Sequence, residues 1–77
     1  MVKVIREPER IGNLVKDIIN NPLVVRITIS KEAPRIIIYV RGIKKVEEYT
    51  KREELERKIK EYGFQPITMY RRIMIFL

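Results

Sequence analysis

Two runs of β-branched residues, Leu23 to Ser30 and Arg35 to Arg41, stand four residues apart and leave this chain few ways to fold. The intervening Lys31-Glu32-Ala33-Pro34 has the length and the proline of a hairpin loop, so the runs predict an antiparallel pair. Strand side chains alternate between faces, which sets Val25, Ile27 and Ile29 beside Ile36, Ile38 and Val40 when like pairs with like. The reverse face then carries Arg26, Thr28, Ile37, Tyr39 and Arg41. An apolar face of that size needs a second layer to cover it.

The flanking segments can supply that layer. Ile11, Leu14, Val15 and Ile18 follow the spacing of a helix with one apolar side; Pro8 suits its first turn, and Asn20-Asn21-Pro22 stops it. A second helix is predicted from Thr50, which forms a capping-box signature with Glu53. Its stripe is Leu55, Ile59 and Tyr62, and Gly63 followed by Phe64 reads as a glycine C-cap. Residues 43–49 place Ile43, Val46 and Tyr49 on a different helical face, which predicts a loop or a third meander strand. Met1 to Ile5 alternate as a short first strand, and Pro66 to Leu77 as a long last one. Arg71 breaks the parity of that last strand, so a bulge, register shift or strand end is expected near residues 70–72.

The expected fold is α+β, one domain over residues 1–77. It is a two-layer sandwich in the order β-α-β-β-α-β, the ferredoxin-like plan. Without the first strand it becomes an α-β-β-β-α-β meander with two helices on one face. No internal repeat or linker is visible.

Composition bears mainly on function. Seventeen Lys plus Arg oppose ten Asp plus Glu, a net charge of +7 that favours polyanionic partners. Residues 42–63 are nearly balanced, so most of the excess lies elsewhere. The chain has neither His nor Cys, which removes the commonest general base, the commonest metal ligand and the best nucleophile. No catalytic site, metal, cofactor or small-molecule substrate is therefore expected. Six of the ten acids lie between Glu47 and Glu61 among Lys and Arg, as on a solvated helix face. No apolar run approaches the roughly 20 residues that span a bilayer, so no membrane role is expected and the cytoplasm is the default location. Abundant Ile, Lys, Arg and Glu resemble the composition of proteins from thermophiles.

The outward sheet face is the informative constellation. Lys3, Tyr70 and Arg72 from the terminal strands would join Arg26, Tyr39 and Arg41, with Arg71 beside them and no acid of the same parity. Aromatic planes can stack bases and cations can hold phosphates, so the expected partner is nucleic acid, RNA or DNA. Lys3, Arg26, Arg41, Arg71 and Arg72 would grip the phosphate backbone, and Tyr39 and Tyr70 would stack. The alternative is a homodimeric interaction or assembly module using the same face or the edge of the last strand.

Overall fold

Apolar residues recurring at Val4, Ile11 and Ile18 extend the first helical stripe back beyond Pro8. In the computed structural model, which describes residues 2–30 and 34–77 and the side chains of residues 9–30 and 34–77, helix α1 runs through Val2–Ile18. Residues 2–5 are thus helical, not a first strand, and Pro8 lies inside the helix. Leu14 and Ile18 are buried on its inner side, with Ile11 packed against them. At the exit, the Asn21 side-chain oxygen accepts the Leu23 N–H at 2.9 Å, turning the chain into the sheet.

Strands β1 (Val24–Ser30) and β2 (Arg35–Val40) form the antiparallel hairpin; its loop residues 31–33 lie outside the described residues. Ile27 faces Ile38 and Ile29 faces Ile36, the register the alternation predicts. Val25 departs from it. A bulge between Val24 and Arg26 puts Val24 opposite Val40 and leaves Val25 as the extra residue, 65% exposed.

Helix α2 (Val46–Glu61) begins four residues before the predicted Thr50. Glu48 sets this start: its Oε1 accepts the N–H of Lys44 at 2.7 Å and of Lys45 at 2.9 Å, satisfying donors that a helix end leaves open. Residues 43–45 are loop, and Val46 and Tyr49, on a face away from Leu55 and Ile59, are exposed. At the other end Phe64 N–H donates to the Ile59 carbonyl and Gly63 N–H to that of Lys60, a Schellman motif with Gly63 at φ 87°. Phe64 is thereby turned into the core beside Ile59. The two helices are also joined directly, because the Tyr62 hydroxyl donates to the Asp17 carboxylate.

Past Phe64 the chain makes a second hairpin in place of the single long strand. Strand β3 (Pro66–Thr68) pairs antiparallel with β4 (Arg72–Phe76), and Met69 to Arg71 form the turn. Arg71 breaks parity because the chain reverses there.

The element order is α-β-β-α-β-β and the strand order β1-β2-β4-β3, in place of the ferredoxin-like arrangement. It amounts to two helix–hairpin units meeting at a β2–β4 seam, with β1 and β3 at the edges. On one side of that seam Ile36, Ile38, Ile73 and Ile75 are fully buried against Leu14, Ile18, Leu55, Ile59 and Phe64. Among the described residues no helix is long and apolar enough to cross a membrane.

Replacing Gly63 by alanine forces an L residue into a left-handed backbone and sets its Cβ 3.1 Å from an Arg10 guanidinium nitrogen. Gly63→Ala should lower the unfolding free energy by about 1 to 2 kcal/mol. Urea denaturation measures it, and an unchanged midpoint would refute this account of the helix end.

Candidate nucleic-acid interface

The β2–β4 register that builds the core also decides what faces the other way. Tyr39 on β2 lies opposite Arg26 of β1 on one side and Arg72 of β4 on the other, so three strands contribute one cross-sheet row, Arg26–Tyr39–Arg72. The guanidinium of Arg26 stacks 4.5 Å from the centre of the Tyr39 ring, a cation–π pair that holds a flexible cation flat on a half-buried aromatic. Two residues along, Thr28–Ile37–Met74–Ile67 form an apolar row across all four strands. Ser30–Arg35–Phe76 form a third. None of these outward positions is acidic.

Beyond the first row the sheet is extended by two connections, the loop of residues 41–45 and the β3–β4 turn. Arg41 N–H donates to the Leu23 carbonyl at 2.8 Å, and Val40 N–H to that of Arg71 at 3.0 Å, so both connections are tied to the sheet. The turn is also held from behind. Arg52, the buried charged side chain among the described residues at 7% exposure, donates Nη1 to the Tyr70 carbonyl at 2.9 Å and Nη2 to that of Met69. Its Nε pairs with Glu56 at 3.2 Å. One guanidinium therefore satisfies two turn carbonyls, using the fork of donors that only arginine has.

Tyr70 then fastens the turn to the loop. Its hydroxyl donates to the Ile43 carbonyl at 3.3 Å, and its ring lies so near Gly42 that a Cβ there would meet the phenol oxygen at 2.9 Å. A side chain at position 42 would push the Tyr70 ring away from the loop.

Between loop and turn lies an open cleft of about 390 Å³, lined by Tyr39, Arg41, Lys44, Glu48, Arg71 and the bulged Val25 among others. Glu48 carries its one carboxylate. The Lys44 and Lys45 backbone donors, and then the charges of Arg41 and Lys45, hold its carboxyl below the usual carboxylate range.

Of the residues singled out from sequence, Arg26, Tyr39 and Arg72 share one row, and Arg41 and Arg71 border the cleft at its end. Arg72 sits on a central strand and not on an edge. Tyr70 is a turn residue, 62% exposed, with the Arg71 guanidinium 5.9 Å from its ring centre. Lys3 belongs to α1 and not to the sheet; its side chain lies outside the described residues. Three residues were missed. Arg35 shares the outward parity of Ile37 and Tyr39, a signal the strand pattern already held. Lys44 and Arg52 gave no such signal: Lys44 lies in the ambiguous segment 43–49, and Arg52 looks like one more cation in a charged helix.

Arg52→Ala would strand two carbonyls at the turn. It should cost about 1 to 3 kcal/mol in denaturant unfolding and speed amide exchange at Met69 and Val40, whose N–H groups bond across this corner. Unaltered exchange at both amides would show that the turn holds without it.

No protein-family model, curated protein or solved structure matches the chain, which leaves the geometry of this face as the ground on which its function is read.

Proposed function

We propose that this chain is a small, non-enzymatic nucleic-acid-binding protein that grips the phosphate backbone with the basic end of its open sheet face. The observation that carries the reading is the Arg26–Tyr39–Arg72 row, continued by Arg41 and Arg71, with no acid at any outward strand position. Four arginines on one end of a flat surface make a local field that anionic polymers seek and that salt screens. Arginine suits the role because its planar fork can take two phosphate oxygens at once.

The two tyrosines divide the work. Tyr39 is a platform that keeps Arg26 extended over the sheet, and the stacked pair presents a guanidinium plane to an incoming base. Tyr70 is the more exposed ring and is available for base stacking along its outer side. The Thr28–Ile37–Met74–Ile67 row and Phe76, 57% exposed, add an apolar strip on which unpaired bases could lie.

That strip also supports a second reading, a homodimer that buries it against a copy of itself. β4 is flanked on both sides, so an edge-to-edge contact would instead use β1 or β3.

Neutralising four phosphates on duplex DNA should give a log–log salt slope near −3.6, and Arg26→Gln with Arg72→Gln should reduce its magnitude by about 1.8. Fluorescence anisotropy over a salt series reads both values. Absence of binding at about 50 mM salt, where electrostatic contacts are strongest, would end the proposal. Light scattering tests the alternative: a stable dimer that dissociates on Phe76→Glu, together with no affinity for nucleic acid, would put assembly in its place.

A further inference from the structure

We propose that the cleft beyond the Arg26–Tyr39–Arg72 row seats the terminal phosphate of a nucleic-acid strand. The inference rests on the nucleic-acid reading above and assigns to Arg41, Lys44 and Arg71 a role distinct from that of the row. Three cations from two different connections line one cavity of about 390 Å³. The backbone inside a strand carries one charge per phosphate, which a single arginine fork can match. A terminal phosphate is a monoester carrying about 1.5 to 2 negative charges at neutral pH, with three strong acceptor oxygens. Three cations lining one cleft suit that group better than an internal one.

Two further features fit a small, doubly charged group. The carboxylate in the cleft, Glu48, has its Oε1 turned onto the Lys44 and Lys45 N–H groups, and its charge, felt by Arg41, offsets one of the three cations and leaves the cleft net positive. The walls are set before any ligand arrives, because Arg52 fixes the turn that bears Arg71, and Tyr70 fixes that turn to the loop bearing Arg41 and Lys44. A pre-formed wall spares the ordering cost that an exposed loop would otherwise incur on binding. The cleft is also continuous with the row through Tyr39, which belongs to both. A nucleic-acid strand crossing the three outward rows, from Phe76 past Ile37 to Tyr39, would end there.

The test compares labelled single-stranded 12-mers of one sequence ending in 5′-phosphate, 3′-phosphate or only hydroxyls, at fixed salt. One phosphorylated end should bind roughly tenfold tighter than the hydroxyl-ended strand, the effect of one or two added charge-assisted contacts. Lys44→Gln with Arg41→Gln, both at exposed positions, should bring the ratio toward one, with circular dichroism confirming an intact fold. The preference should also weaken between about pH 7.5 and pH 5 as the monoester takes up its second proton. Arg41 and Lys44 from the loop, Glu48 from α2, Arg71 from the turn and Tyr39 from β2 face the site; the chain has no histidine, the side chain that ordinarily titrates in that window. Equal affinity for all three strands, or a preference that survives the double substitution, would overturn the inference and leave nucleic-acid binding standing. A free nucleoside monophosphate bound as tightly as the phosphorylated strand would also overturn it, since the cleft would then be a small-ligand site. Failure of every strand to bind would remove both readings.

Discussion

The pairing of β2 with β4 is the contact on which everything else is built. It sets Ile36 against Ile75 and Ile38 against Ile73, and these four side chains are shut from water beneath both helices. Burying side chains of that size is worth about 1.5 to 3 kcal/mol each against leaving them exposed, so a slip of β4 by one residue, which would turn Ile73 and Ile75 outward, is strongly disfavoured. The outer rows inherit that certainty. Arg72 stands beside Tyr39, and Met74 beside Ile37, because the same backbone bonds fix both sides of the sheet.

The corner that borders the cleft depends on a different kind of force. Loops and turns seldom bury enough apolar surface to hold a fixed shape, and here polar contacts do it. Arg52 reaches from the helix layer to two turn carbonyls, and Tyr70 spans from the turn to the loop. A buried guanidinium is costly to desolvate, and it is tolerated here because its donors meet carbonyls and the Glu56 carboxylate.

Much of this was legible in the residues. Alternation gave the β1–β2 hairpin and the outward positions of Arg26, Thr28, Ile37 and Tyr39; the helical stripes gave Leu14, Ile18, Leu55 and Ile59; Gly63 marked the helix end. What stayed hidden was decided by contacts between distant residues or by competing local signals. Lys44 and Lys45 offer their N–H groups to Glu48, and this start prevails over the equally plausible one at Thr50. The turn at Tyr70–Arg71 lacks the glycine, asparagine or proline that usually announces a reversal, and its stability comes from Arg52, which is eighteen positions from Tyr70 in the chain. Lys3 fell on the wrong element because a five-residue alternation cannot be told from the end of a helical stripe, and Arg72 was expected on an edge because the ferredoxin-like order puts the last strand there.

The two helix–hairpin units meet along a seam whose halves come from widely separated parts of the chain. Until residues 72–76 are in place, one flank of β2 has no strand beside it, and Ile36 and Ile38 have only α1 and β1 to cover them. The seam is thus a pairing between opposite halves of the chain, and non-local pairing of this kind slows folding relative to a hairpin closed by a short loop.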